Sequence, residues 1–456
     1  MHPNWYLTAP WEPVSIRRGD ALGFRSAADY FADLVAPGLS NGTSDARWIT
    51  LLSWCLKWSH LVWQHAGGGD LTRRDTQRAH YAWLRPLELL WVDRTLESGQ
   101  STGQLRGRRS IERWRKADRR PFNFAMSTDQ FRRYRQVGTY GAYRVVFRSV
   151  AGLTTADGWT PGPIALQLAH LATQKLPPDA RLRDEHFENG IRWGSWRNQE
   201  ARFWIERGWT TWQMQANHGL LPTPDEATDK PLSREERSLL APALFGTDSV
   251  RSITAEVLAG ANAARSHVDL CDALASSKTL AKKIEPASLA MLPAFTRLAD
   301  AAMHAMRVLW NAIHQNGEAQ SPTIQKLARA PDVPERFSEL QTACKAWLTM
   351  PSRNTFPHNQ VVTKLAEGIQ RATSLPQQIQ ALAIHHHAHG GGRHWFREQA
   401  GSLVPLVADT GIAASDYRFR LRSLCLLAAQ CGVANMNAAL TALTQHDADD
   451  DDGDVL

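Results

Sequence analysis

Cysteine is sparse in this sequence and scattered along it. The five present, Cys55, Cys271, Cys344, Cys425 and Cys431, are odd in number and form no CxxC pair. That usage excludes a disulfide framework and a cysteine zinc site, and it suits a reducing cytoplasm. Long apolar runs are missing too. The most apolar stretch, WITLLSWCLKWSHLVW, is interrupted by Lys57 and His60. It falls short of the ~20 residues that a membrane span needs and reads as a buried core helix. The opening MHPNWYLTAPWEPVSIRRGD has no apolar h-region of a secretory signal, so a cytoplasmic location without a membrane partner is expected. No GxxxxGK[ST] loop and no GxSxG elbow occur, which removes Walker-type nucleotide hydrolysis and α/β-hydrolase chemistry. No paired-carboxylate and lysine arrangement marks a nuclease core. Strand-like alternation is nearly absent, and no repeat of fixed period is found.

Tryptophan, by contrast, is abundant. Of 18 tryptophans, 15 lie at or before Trp212, which points to a heavily packed aromatic core in the N-terminal half rather than to a base-stacking surface. Basic charge is concentrated as well. Residues 101–150 hold 13 Lys/Arg against 3 Asp/Glu, a local balance of +10, whereas the whole chain carries +7. The other end, HDADDDDGDVL, is acidic and has too few apolar residues to dock, so it is expected to be disordered.

Apolar spacing and breakers give the element order. Residues 1–20 carry Pro3, Pro10 and Pro13 and read as extended. ALGFRSAADYFADLVAPG predicts a helix closed by Pro37-Gly38. Ser44 or Asp45 caps the next, about 45–65, which the glycines of HAGGGD end. Asp70 or Thr72 opens another, with Pro86 inside it to kink or split it. STDQFRRYRQVG and TYGAYRVVFRSVAGL predict two short helices, TTADGWTPGP a tight hairpin or loop, and IALQLAHLATQKL a further helix. The aromatic stretch SWRNQEARFWIERGWTTWQMQ also reads as helical. LLPTPDEATDKPLSREE separates two halves. Beyond it, SITAEVLAGANAARSHVDLCDALAS and PASLAMLPAFTRLADAAMHAMRVLWNAIHQ have helical apolar spacing, and helices follow at about 333–349, 357–373, 376–389 and 416–431.

The expected fold is therefore mainly α and multi-helical. The expected domains are a Trp-rich helical domain at 1–222, an all-helical domain at 223–446, and the acidic tail at 447–456. Within the first, the order helix, turn, helix, short hairpin, helix over about 125–175 resembles a winged helix-turn-helix. Gly152-Leu153, Asp157-Gly158, Thr160-Pro161 and Gly162 carry that resemblance. The hairpin is short for a wing, and glycine follows Pro161 directly. The basic, winged-helix-like segment spans about 101–175.

Three clusters are candidates for chemistry. Arg132, Arg133, Arg135, Arg144 and Arg148 fall on the two expected helices, and Arg106, Arg108, Arg109, Arg113, Arg115, Lys116, Arg119 and Arg120 form a basic arm upstream. Guanidinium forks suit phosphate oxygens, so this surface is expected to bind DNA, with RNA as an alternative. The competing reading is a face that docks an acidic protein partner. The second cluster is AIHHHAHGGGRHW, where His385 and His389 are one turn apart and His394 follows. A zincin helix needs glutamate after its first histidine, and His386 stands there instead. The glycines are expected to end the helix in left-handed conformation, and histidines in its last turn suit the helix dipole. A metal-dependent nuclease or hydrolase built on His385, His389 and His394 remains the alternative. The third, DEHFENG, with Asp184, Glu185, His186 and Glu188, reads as a solvated helix face.

One stretch, DYFADLVAPGLSNGTSDARWITLLSWCLKW, resembles the opening of an uncharacterised protein family of bacterial anti-phage defence islands. Pro37, Gly38, Thr43, Arg47, Trp48 and Trp54 carry the likeness over about 30 residues; tryptophan replaces the tyrosine expected after the arginine, and Asp45 replaces an arginine. The resemblance implies a helical, non-enzymatic accessory subunit working beside a helicase, nuclease or ATPase. It carries no catalytic residues and no cofactor.

Overall fold

Helix is what the apolar spacing dictates along most of the chain, and the architecture is mainly α. The structure, a computed structural model, describes residues 20–65, 68–77, 123–127, 138–174, 209–213, 232–315, 321–390, 394–406 and 417–444, with single positions between 80 and 112. In chain order the elements are α1 Arg25–Val35, α2 Arg47–His65, β1 Asn123–Ser127, α3 Thr139–Ser149, α4 Pro163–Gln174 and β2 Trp209–Gln213. Then follow α5 Arg234–Leu244, α6 Val250–Gly260, α7 His267–Ala275, α8 Pro286–Gln315, α9 Ile324–Leu327 and α10 Val333–Thr349. Last come α11 Asn359–Arg371, α12 Leu375–His389, β3 Phe396–Gln399, β4 Ser402–Pro405, α13 Leu421–Gln430 and α14 Asn437–Thr444. Among the described residues, no helix is long and apolar enough to cross a membrane.

Two compact units result, neither continuous in the chain. One comprises Met1–Val35, Glu256–Phe419 and Asn437–Leu456, the other Ala36–Ala255 and Arg420–Met436. The expected boundary at 222 and 223 lies outside the described residues, as does the acidic tail. The units part at Val35, at Ala255 and on either side of α13.

In the first unit, α8 is the central helix. It packs against α7 and α10, with α11 on α10 and α12 on α11. An aromatic cluster fills its core. Phe31 of α1 stacks on Phe356 at 5.0 Å and lies 5.1 Å from Phe295 of α8. Phe419 closes on both Phe31 and Phe295, and Trp347 of α10 meets Phe356 edge-on. Burying each such ring stabilises the unit by roughly 1.5–3 kcal/mol relative to leaving it exposed. In the second unit, α2 packs against α4, and α3 lies beside α2. Trp48, Trp54, Trp58, Trp63 and Trp159 are all buried, so at these positions the tryptophan supply goes into packing.

Several boundaries follow local signals. Asp45 accepts the Arg47 N–H at 3.0 Å where α2 starts, and the Gly68 N–H bonds the Trp63 carbonyl at 3.0 Å just beyond its end. Three expectations need correction. The stretch around GWTTWQMQ contains a strand, not only helix: β2 pairs antiparallel with β1, Phe124 opposite Trp212. Its Trp209-Thr-Thr-Trp212 core consists of β-branched and aromatic residues that favour a pleated surface. The long pattern from Ser252 to Ser276 is two helices, because Ser266 caps α7 by accepting the Asp269 N–H at 3.2 Å. The sequence FREQAGSLVP forms an unforeseen hairpin, β3–β4, across Ala400-Gly401. Both turn residues have positive φ, 50° and 77°, the geometry that matches hairpin twist.

Gly162 holds a close approach. A Cβ there would lie 2.4 Å from the Gly152 carbonyl oxygen, where the Gly162 N–H also bonds the Leu153 carbonyl at 2.9 Å. Gly162→Ala should therefore lower the melting temperature, by a few degrees or more. Gly260→Ala meets nothing within 4 Å at the end of α6 and should leave it unchanged or raised, since alanine costs less chain entropy to order. Equal melting temperatures for the two variants would contradict this packing.

Candidate functional site

The helix α3 begins at a glycine. Gly138 has no side chain to satisfy the first amides, and the cap comes from elsewhere. Glu88, fully buried, accepts the Tyr140 N–H at 2.9 Å and the Tyr81 hydroxyl at 3.3 Å. A carboxylate at a helix N-terminus satisfies both the free amides and the dipole. Farther along, Ser40 donates to the Ala142 carbonyl at 2.7 Å, and the Tyr143 hydroxyl donates to the Asp45 carbonyl at 2.8 Å. At its end the Ser149 hydroxyl donates to the Gly38 carbonyl at 3.1 Å. Thus α3 is held at its start, middle and end.

A tight turn leads from α3 to α4. Thr154 bridges Pro161, and the Thr155 and Gly158 amides bond the Thr160 and Thr155 carbonyls. Asp157 fastens the loop by accepting the Trp159 and Thr160 amides at 2.7 and 2.8 Å and the Thr160 hydroxyl at 2.6 Å. Partial burial works to raise the Asp157 carboxyl, but these hydrogen bonds outweigh it and hold the group below its ordinary value. Beside this turn, α3 places Arg144 and Arg148 one helical turn apart. Arg144 is half-buried with its guanidinium 5.9 Å from the Trp159 ring centre, a cation–π contact, and Arg148 is exposed. Val145, Ser149, Thr155 and Ala156 are exposed around them.

Of the other expected phosphate-binding residues, Arg108 is described. It pairs with Glu112 at 2.6 Å, one turn away, with 40% of its side chain exposed. Such an exposed pair adds little stability. Arg106, Arg109, Arg113, Arg115, Lys116, Arg119, Arg120, Arg132, Arg133 and Arg135 lie outside the described residues, as does the 184–188 acidic cluster.

The histidine stretch closes α12 and then turns inward. His385 donates from Nε2 to the Leu22 carbonyl at 2.9 Å. His386 is engaged at both nitrogens: Nδ1 donates to the Ala21 carbonyl at 2.7 Å, and Nε2 accepts the Trp395 N–H at 2.9 Å. That pair of bonds fixes one neutral tautomer. The chain before α1 is anchored on its other side by Tyr417, whose hydroxyl donates to Asp20 at 2.6 Å and accepts the Leu22 N–H at 3.0 Å. Burial pushes both His385 and His386 down to about 4, so these two do not carry the charge expected to complement the helix dipole. Gly390 needs correction too. It has φ −62° and is not left-handed. Its role is space, since a Cβ there would come within 2.5 Å of the His386 carbonyl and 2.8 Å of the Ala21 carbonyl. Gly391 and Gly392 lie outside the described residues. The His385 and His389 rings are 4.8 Å apart, but the His385 Nε2 is committed to backbone.

Two buried clusters escaped the sequence reading. Next to the Asp157 turn, His80 is fully buried against Trp63, Trp159 and His60. Burial, with His60 beside it, pushes His80 down to about 3. No local spacing links His60 to His80, so nothing in the sequence marks the pair. In the other unit, His267 and Cys271 are one turn apart on α7 with Sγ 3.7 Å from Nε2. The thiol is buried and its pKa is driven far up by desolvation, so this pair is core, not a nucleophile. The i,i+4 spacing alone could have flagged it.

Two outcomes are expected from these contacts. Glu88→Ala should destabilise the second unit by about 1–3 kcal/mol, because it strands buried donors, and should speed hydrogen exchange in the first turn of α3. Unchanged exchange there would remove the capping role. For His385 and His386 the folded value lies below the unfolded one, near 6.5, so the unfolded chain binds more protons as pH falls. Stability is complete above about pH 6.5 and is lost between there and pH 4, by roughly 3 kcal/mol per histidine. Melting temperature measured across that range should fall less in a His385→Gln, His386→Gln double variant than in the parent, and an equal fall would contradict the assignment. Comparisons with protein-family models, curated proteins and solved structures find no match to this chain.

Proposed function

We propose that this chain is a non-enzymatic accessory subunit of a bacterial anti-phage defence system and that it binds DNA through its basic segment, with α3 as part of the contact surface. The observation that carries this reading is the pair Arg144 and Arg148 on the flank of α3, beside a turn of small residues, within a segment of +10. Residues four apart on a helix are about 6 Å apart along its axis, a span over which two guanidiniums reach oxygens of one phosphate backbone. The α3 N-terminus is already occupied by the Glu88 carboxylate. Phosphate contacts must therefore come from the helix flank, not from its dipole. Such contacts give affinity without sequence preference. The defence context rests on the resemblance at Pro37–Trp54. A second reading is favoured by Val145, 43% exposed between the two arginines: the same face docks a helicase, nuclease or ATPase partner.

Binding of labelled duplexes of unrelated sequence, followed by anisotropy between about 50 and 200 mM salt, tests this. An Arg144→Ala, Arg148→Ala double variant should weaken all sequences alike and flatten the log–log salt slope by about one unit per arginine removed. Its melting temperature should fall by a few degrees at most, from loss of the Arg144 contact with Trp159. If neither DNA nor RNA binds at low salt, or if the double variant binds like the parent, the nucleic-acid reading fails and the protein-docking one replaces it.

A further inference from the structure

The histidine-rich end of α12 contains more imidazoles than the contacts to residues 20–24 use. His387 is exposed on the last turn of α12, and His394 stands half-buried just before β3. Their ring centres are 4.9 Å apart, with the planes tilted by 44°. The Nδ1 of His394 is buried and has no hydrogen-bond partner among the described residues. Leaving a buried polar atom unsatisfied costs on the order of 1–3 kcal/mol, and native structures commonly settle such an atom with water or an ion. Two imidazoles on one tetrahedral zinc, each bonded at about 2.0–2.1 Å, place their ring centres about 5 Å apart. The observed separation matches that value.

We propose that His387 and His394 together bind a divalent transition cation of the zinc class. Neutral imidazole is a preferred ligand for such ions. The pair differs from the one that helical spacing suggests, since His385 of the i,i+4 pair with His389 holds the Leu22 carbonyl. His386 is excluded as a third ligand because both its nitrogens are engaged. Among the described residues, no group of three His, Cys, Asp or Glu side chains is placed to hold an ion. The remaining coordination positions of the site are open to water. Its consequence is local. An ion there ties the end of α12 to the segment that starts β3 and steadies Trp395, whose N–H holds His386.

The full chain, free of any affinity tag, would be titrated with zinc chloride by calorimetry near neutral pH, and copper(II) electron paramagnetic resonance would count nitrogen ligands. One equivalent should bind, with two nitrogens coupled to copper. His387→Ala and His394→Ala should each weaken binding by at least the roughly tenfold that loss of even a supporting residue gives. His389→Ala should leave it unchanged. His387 is exposed, so its alanine variant keeps the fold whatever becomes of the His394 variant. Absence of saturable binding, binding retained in His387→Ala, or an equal loss in His389→Ala would overturn the proposal.

Discussion

A buried carboxylate has to find donors, and Glu88 finds them at the start of α3. Its environment leaves it no solvent, so its two oxygens fix the positions of Tyr81 and of the Tyr140 amide together. That constraint sets where α3 begins. The helix start in turn places Tyr143 against Asp45, Ser149 against Gly38, and Arg144 over Trp159. The position of the arginine flank thus depends on a buried acidic group.

The same accounting governs the other unit. The backbone just before α1 presents carbonyls at Ala21 and Leu22 that cannot pair within a helix. His385 and His386 supply the donors, and Tyr417 and Asp20 complete the set. Segments far apart in the sequence are therefore joined by side-chain to backbone bonds. Unpaired, each buried carbonyl would cost more than the bond contributes when made. Neutral histidine suits the task because it can donate at one nitrogen and accept at the other, as His386 does.

Pro37, Gly38, Thr43, Trp48 and Trp54, on which the proposed defence context rests, serve as joints. Pro37 and Gly38 offer carbonyls to Arg251 at 2.9 Å and to Ser149. Thr43 is fully buried beside Ser40, which binds α3. Trp48 and Trp54 pack in the core. Ala46, between Thr43 and Trp48, donates its N–H to the Gln430 side chain at 2.7 Å. These positions build the platform for α3, and Arg144 and Arg148 lie on the element that the platform supports.

Much of the helical order was legible in the sequence because apolar spacing of 3.6 is a local property. The helix α10 was expected over the residues where it forms, α8 was readable from its start at Pro286, and α12 from its end at the glycines. The capping role of Asp45 and the concentration of basic charge in 101–150 were legible for the same reason. What spacing could not decide was partnership. Equal periodicity runs through Ser252–Ser276, yet a serine cap breaks it in two. The short FREQAGSLVP hairpin has too few residues to show alternation. Five histidines in ten residues looked like one cluster, with His385 and His389 its natural pair. Only the fold shows that His385 and His386 face backbone carbonyls more than 360 residues away in the chain, and that His387 meets His394 instead. Sequence determines which side chains are available on a helix. Which of them stay free for chemistry is decided by the buried polar groups that the tertiary structure brings against that helix, because those must be satisfied first.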